Sequence, residues 1–70
     1  MTGTIARIML DRGFGFIAVD GESGRDGLFF HVADLSPELD FDELLIERRV
    51  QFEVQDSPRG RRAVRVKAAP

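Results

Sequence analysis

The segment Arg12-Gly13-Phe14-Gly15-Phe16-Ile17 alternates two glycines with two phenylalanines directly after a basic residue. Side chains at positions i and i+2 share one face of an extended chain, so Phe14 and Phe16 are expected to point the same way. Ile17 and Val19 form the predicted inward set, which leaves the two rings on the opposite face, with open space beside the glycines. Rings on that face are placed to stack against flat ligands such as nucleobases.

A second apolar segment, Leu28-Phe29-Phe30-His31-Val32, continues the same pattern. In a strand Phe29 and His31 share one face, and the other three side chains share the opposite one. Pairing the two strands would bring Phe14, Phe16, Phe29 and His31 onto one surface. An exposed aromatic cluster with a histidine and a nearby arginine is typical of sites for single-stranded nucleic acid. Taken alone, a Phe-Gly-Phe segment in a hairpin is more often part of the core.

The length and composition predict a single domain, residues 1–70, that is stabilised by packing alone. The chain has 70 residues and no cysteine, so neither disulfides nor thiolate metal sites are available to it. No apolar run approaches the length of a membrane span, and Met1-Thr2-Gly3 leads into structured sequence without a signal-peptide core. We therefore expect a cytoplasmic protein with no membrane partner.

The formal net charge of −2 argues against the bulk electrostatic attraction that basic nucleic-acid binders use. The charges are unevenly placed, however. Acidic side chains are concentrated between Asp34 and Glu47, whereas basic side chains are concentrated between Arg59 and Lys67. The local potential can therefore differ in sign from the total, although charge runs of this kind are more often ordinary solvated surface.

The first half of the chain is predicted to form a three-stranded meander. Strand 1 covers residues 3–10 and needs a bulge or bend, because Ile5, Ile8 and Leu10 do not share one parity. Strand 2 covers residues 14–19, and strand 3 covers residues 28–32. Residues 20–27, with three glycines, form the expected turn-rich connection between strands 2 and 3.

A short helix is predicted within residues 33–49. Asp40 is its expected N-cap, and Glu43 closes a capping box three residues later. Its other expected features are a hydrophobic staple between Leu39 and Leu44 and two basic residues at its negative end, Arg48 and Arg49.

Two further strands complete the predicted fold. Residues 50–55 alternate strictly between apolar and polar side chains, which predicts a strand with one buried face. Residues 56–60 are predicted to form a turn, because their proline and glycine stand at positions that turns favour. In the fifth strand, Val64 and Val66 alternate with Ala63, Arg65 and Lys67. The sequence therefore predicts an all-β fold, a five-stranded Greek-key barrel with a short helical turn between strands 3 and 4, because closure removes exposed edges.

These segments, in this order, resemble the cold-shock domain family. Arg12 to Ile17 matches the family's Lys-Gly-Phe-Gly-Phe-Ile motif with arginine for lysine, and Leu28 to Val32 resembles its Val-Phe-Val-His-Phe motif. The end of the chain, through Val50, Phe52, Gly60, Ala63 and Val66, is similar to the family's last two strands. The resemblance implies an OB-fold barrel that binds single-stranded RNA and DNA by stacking, as an RNA chaperone or a regulator of gene expression.

The resemblance also implies a role for individual residues. Phe14, Phe16, Phe29 and His31 would stack on bases, and Arg12 would reach the nucleic-acid backbone. The family's first strand usually reads Lys-Trp-Phe-Asn where this chain has Ala6 to Met9, and Val32 replaces a further aromatic residue. Arg7 stands at the tryptophan position, where its guanidinium can stack on a base or meet a phosphate. The alternative is that Arg7 is a solvated strand residue.

Catalysis is not expected, so the chain is predicted not to be an enzyme. His31 is the only histidine, no cysteine accompanies it, and no metal site, cofactor or small-molecule substrate is indicated. The remaining alternative is a protein-interaction module that binds a hydrophobic partner through the same aromatic face. Under either interpretation we expect a monomer.

Overall fold

Five β-strands close into a barrel in the computed structural model, which describes residues 1–22 and 27–70. The strands are β1 (Thr2–Met9), β2 (Phe14–Val19), β3 (Leu28–His31), β4 (Arg49–Ser57) and β5 (Gly60–Ala68), and single 3₁₀ turns cover Val32–Asp34 and Glu43–Leu45. The order around the barrel is β1-β2-β3-β5-β4, and β4 pairs with β1 to complete the ring. The predicted all-β, five-stranded fold with helical structure between strands 3 and 4 is confirmed.

The predicted three-stranded meander is also confirmed, since β1, β2 and β3 pair in sequence as antiparallel neighbours. The connection predicted over residues 20–27 falls partly on residues 23–26, which lie outside the described residues. In the ranges that are described, no helix has the length and apolar character needed to cross a membrane.

The predicted irregularity of β1 is a β-bulge. Ile5 pairs with Ile17, but Arg7 pairs with Phe16. Two steps along β1 therefore correspond to one step along β2, which is the signature of a bulge. The bulge lets the buried Ile5 and the half-buried Ile8 both contact the core. Leu10 lies beyond the end of β1 and is exposed, so the strand begins and ends one residue earlier than predicted.

The core fills the barrel with the inward side chains of all five strands. Ile5, Ile17, Phe30, Val50 and Val66 are fully buried, and Leu28, Phe52 and Val19 are nearly so. The inward set predicted for β2 therefore lies inside. In β4, Val50 and Phe52 are buried and Val54 is half-buried against the core. Of the set predicted for β3, Leu28 and Phe30 are buried, and Val32 is half-buried in the first 3₁₀ turn.

The simple alternation predicted for β5 is wrong. Ala63 and Val66 are the fully buried residues of this strand, and Val64 is only half-buried. Gln51 pairs with Lys67 and Glu53 with Val64, so the register shifts, and Arg65 adopts a positive φ of 54° at this point. The extra residue reverses the alternation between Val64 and Val66, as a bulge does.

The predicted helix is a single 3₁₀ turn with a different cap. Asp42, not Asp40, accepts a hydrogen bond from the backbone N–H of Leu44 at 2.9 Å. The predicted staple is absent because Leu39 is buried whereas Leu44 is 83% exposed. Leu45 is buried in the core. Its neighbours Leu44 and Ile46 are exposed, because consecutive side chains point in different directions in a single turn.

Arg49 is the first residue of β4 and does not end a helix, contrary to the prediction for Arg48 and Arg49. Its guanidinium donates two hydrogen bonds to the carboxylate of Asp20, at 2.7 and 2.6 Å, and a third to Thr4. Thr2 also donates to Asp20 at 2.7 Å. The Arg49 hydrogen bonds, followed by the Thr2 hydroxyl, hold the pKa of Asp20 well below its ordinary value. This cluster ties the end of β2 to β1 and β4 where the barrel closes.

Candidate nucleic-acid interface

The side chains of Phe14, Phe16, Phe29 and His31, here called the aromatic platform, lie together on the outer face of β2 and β3. Phe14 pairs with His31 and Phe16 with Phe29 across the two strands. The Phe29 centroid lies 5.4 Å from that of Phe14 and 6.1 Å from that of Phe16, and the Phe14 and Phe16 centroids are 5.9 Å apart. Each ring is thus held by the others before any ligand arrives.

The platform faces outward because the opposite face of the same strands builds the core. The three phenyl rings are half-buried and His31 is exposed, whereas Ile17, Leu28 and Phe30 are buried. A surface of this kind combines apolar area with accessible ring faces, which suits the stacking of planar groups.

Gly15 serves the core side of β2, and the expectation that it clears space beside the rings is wrong. A Cβ at this position would lie 2.5 Å from the carbonyl oxygen of Arg7 and 2.7 Å from the ring of Phe30. The glycine therefore permits the close approach of β1 and Phe30. Gly13 has a different role, since its φ of +74° makes the turn that leads into β2.

Arg7 lies at the edge of the platform. The β1 bulge places it opposite Phe16, and its guanidinium carbon is 5.6 Å from the centroid of the Phe16 ring. This distance falls within the range of cation–π contacts. A base can stack on the guanidinium plane at this position, or a phosphate can accept hydrogen bonds from its N–H groups.

Arg12 lies in the exposed turn between β1 and β2. Its backbone N–H donates to the carbonyl oxygen of Met9 at 3.1 Å. Among the described residues its side chain forms no ion pair or hydrogen bond, and Arg12 lies in the turn that leads into β2.

His31 has a defined tautomer. Its Nδ1 accepts a hydrogen bond from the backbone N–H of Ala33 at 3.0 Å and so caps the first 3₁₀ turn. An Nδ1 that accepts a hydrogen bond carries no proton, and the neutral ring then carries its proton on Nε2. The exposed ring therefore offers both a stacking face and one N–H donor.

Comparison with known proteins identifies the family of this chain. Residues 1–69 match the family model of the "'Cold-shock' DNA-binding domain". The chain belongs to the cold-shock domain family. Among solved structures, one described as "drosophila Unr CSD456" is similar to this cold-shock domain, with a TM-score of 0.75 and 31% sequence identity over 99% of the chain. The chain spans 26% of the length of that structure, about a quarter. No curated protein matches it significantly in sequence.

Membership confirms the resemblance seen in the sequence, including the OB-type barrel. Cold-shock domains generally bind nucleic acids, and the family is not a family of enzymes. Within the described part of the chain, no group of three or more His, Cys, Asp or Glu side chains is placed to hold a metal ion.

The cold-shock domain has a second feature beside the platform that the sequence did not predict as part of the site. A groove of about 470 Å³, here called the arginine groove, is lined by Phe29, His31, Ser57, Arg59, Gly60, Arg61 and Arg62. It exists because β3 pairs with β5 in parallel, with Phe29 beside Arg62. The basic residues near the end of the sequence indicated a positively charged surface. Their position beside the platform depends on the long-range pairing of β3 with β5, which the sequence does not reveal.

Proposed function

We propose that this cold-shock domain binds single-stranded RNA and DNA by stacking bases on the aromatic platform. The observation that carries the proposal is the outward-facing group of Phe14, Phe16 and Phe29, whose centroids lie 5.4 to 6.1 Å apart. His31 adds a fourth ring with an N–H donor. Arg7 contributes at the edge of the platform, and Arg12 contacts the nucleic-acid backbone from its turn.

Stacking accounts for binding by a chain with a net charge of −2. Each base stacked on an aromatic side chain contributes about 1–3 kcal/mol. Three such stacks can therefore supply most of the favourable free energy of binding without bulk electrostatic attraction. The salt dependence is then moderate, because few phosphates need to be neutralised.

The biological role that fits this mechanism is a passive RNA chaperone or a regulator of transcription or translation, acting in the cytoplasm as a monomeric domain of residues 1–70. The sequence contains no nucleotide-hydrolysis motif. The protein would trap strands that open spontaneously, so that melting an RNA hairpin requires stoichiometric protein. Acceleration of strand opening by ATP with the pure protein would contradict this role.

Fluorescence titration of a labelled single-stranded heptanucleotide tests the proposal, with the same sequence in a duplex as the comparison. The wild-type protein should prefer the single strand, and Phe16→Ala should weaken binding by about 1–3 kcal/mol. Leu44→Ala is the matched control, because Leu44 is an apolar side chain that is 83% exposed outside the platform. Equal affinities for single strand and duplex would refute base stacking, and no binding to either would favour the protein-interaction module.

A further inference from the structure

Met9 lies next to the aromatic platform, on the same outer face of the barrel. Beyond the β1 bulge, Arg7 pairs with Phe16 and Met9 pairs with Phe14. Side chains directly opposite each other on antiparallel strands share one face, and so do side chains at positions i and i+2. The last residue of β1 therefore places a flexible, polarisable thioether beside the ring of Phe14.

The backbone of Met9 is fixed, but its side chain is not part of the core. The Met9 carbonyl accepts hydrogen bonds from the backbone N–H groups of Arg12 and Gly13, at 3.1 and 2.9 Å. Met9 is half-buried, so part of its side chain is in contact with solvent. In the part of the chain that the structure describes, Ile8 packs against the core and Met9 does not. A chemical change at the Met9 sulfur therefore acts on the outer surface and leaves the core intact.

The Met9 sulfur is also in contact with Arg7. The Nη2 atom of Arg7 lies 3.9 Å from Sδ of Met9, in a weak hydrogen bond to a weak acceptor. The guanidinium carbon of the same arginine lies 5.6 Å from the centroid of the Phe16 ring. Arg7 thus links Met9 to the platform, and a stronger acceptor at the sulfur would compete for its N–H groups.

We propose that Met9 is an oxidation site that regulates single-strand binding, at which a peroxide converts the thioether to a sulfoxide and thereby lowers the affinity of the platform. This inference rests on the proposed function. With hydrogen peroxide, the sulfur lone pair attacks one oxygen, so that an S–O bond forms as the O–O bond breaks. The hydroxyl proton of the transferred oxygen passes to the departing hydroxide, which leaves as water. The sulfur loses two electrons and the peroxide gains them.

Oxidation changes the edge of the platform in two ways. The sulfoxide oxygen is polar and a better acceptor than the thioether sulfur, so it holds an N–H of Arg7 that otherwise serves a base or a phosphate. It also replaces apolar surface beside Phe14 with a hydrated group. Loss of one hydrogen bond or contact of this size raises the Kd by about 2- to 10-fold. Methionine sulfoxide reductases reverse the change, with one enzyme for each sulfoxide epimer.

The chain offers an internal control for this proposal, because Met1 is its only other methionine. Met1 is 58% exposed, and its amino group donates to the Phe52 carbonyl at 3.0 Å, beside β4 and outside the platform. An oxidant in solution therefore reaches Met1 as well, and an effect that requires Met9 can be separated from oxidation in general.

The test measures the Kd for a labelled single-stranded heptathymidylate by fluorescence titration, before and after treatment with hydrogen peroxide. Mass spectrometry of peptides shows which methionine carries the added oxygen. Wild-type protein with a sulfoxide at Met9 should bind about 2- to 10-fold more weakly, and the two reductases together should restore its affinity. Met9→Leu retains Met1 and should give the same Kd before and after treatment. Saturating heptathymidylate should slow the oxidation of Met9 in the wild-type protein but not that of Met1.

Urea unfolding of the treated samples shows whether the fold is retained, as expected for a residue outside the core. Failure of untreated wild-type protein to bind the heptathymidylate would refute the proposed function. Three results would overturn this inference while the proposed function stands: no sulfoxide at Met9, an unchanged or lower Kd in protein that carries it, or an equal loss of affinity in treated Met9→Leu. Unfolding of the oxidised protein would overturn it as well, since the loss of binding would then not be local.

Discussion

Phe29→Ala is expected to weaken single-strand binding, because Phe29 supplies one stacking face of the platform and packs against both other phenyl rings. Its centroid lies 5.4 Å from Phe14 and 6.1 Å from Phe16. Loss of one base stack costs about 1–3 kcal/mol, or a roughly 5- to 150-fold higher Kd. Loss of two aromatic pairs, at about 0.5–1.5 kcal/mol each, should lower the free energy of unfolding by about 1–3 kcal/mol.

The assay is a fluorescence titration with a single-stranded heptanucleotide, accompanied by urea unfolding of the same samples. Phe29→Tyr is the conservative control and should retain most of both values, because it keeps the ring. Unchanged affinity in a folded Phe29→Ala variant would refute the stacking mechanism and favour a platform that binds a hydrophobic protein partner.

Three further predictions concern β1, β2 and the closure of the barrel. Arg7→Trp should tighten single-strand binding by on the order of 1 kcal/mol and lower the salt slope by about 0.7, as measured by titration; equal or weaker binding would show that β1 contributes little to recognition. Gly15→Ala should lower the free energy of unfolding in urea by about 1–3 kcal/mol, because its Cβ would lie 2.5 Å from a backbone oxygen; unchanged stability would contradict the packing described. The lowered pKa of Asp20 means that its ion pair with Arg49 stabilises the fold above the ordinary carboxyl value of 3.8 and loses this effect as the pH falls below it. Asp20→Asn should therefore be less stable than wild type at pH 7 and low salt, with the difference disappearing in acid; a difference that does not vary with pH would refute this role.

The platform could be predicted from the sequence because it depends on local alternation. Ile17 and Val19 identify the inward face of β2, so Phe14 and Phe16 had to lie on the other one. Pairing of β2 with β3 then follows from their adjacency in the chain. The β1 bulge was predictable for a similar reason, since Ile5 and Ile8 cannot both face the core in a regular strand.

The capping of the helical turn could not be predicted because two aspartates stand at suitable positions. Asp40 and Asp42 both precede the apolar residues, and the choice depends on which leucines reach the core. Leu39 and Leu45 are buried, and the chain between them is too short for a longer helix. The burial of these leucines in the core therefore determines which aspartate caps the turn, because the local sequence favours neither.

The arginine groove could not be located for a different reason. Arg61 and Arg62 are more than 30 residues from Phe29 in the sequence, and only the parallel pairing of β3 with β5 brings them together. The bulge at Arg65 likewise depends on the register with β4, which the alternation of the last strand does not reveal.

The central claim is that bases stack on the aromatic platform, and NMR of the protein with a single-stranded oligothymidylate tests it most directly. We expect intermolecular NOEs from base protons to the ring protons of Phe14, Phe16 and Phe29. Phe41 is the internal control, because its ring packs against the core residue Phe30 at 6.5 Å between centroids, and it should show none. Binding without NOEs to the platform rings, with shifts confined to other surfaces, would contradict the account.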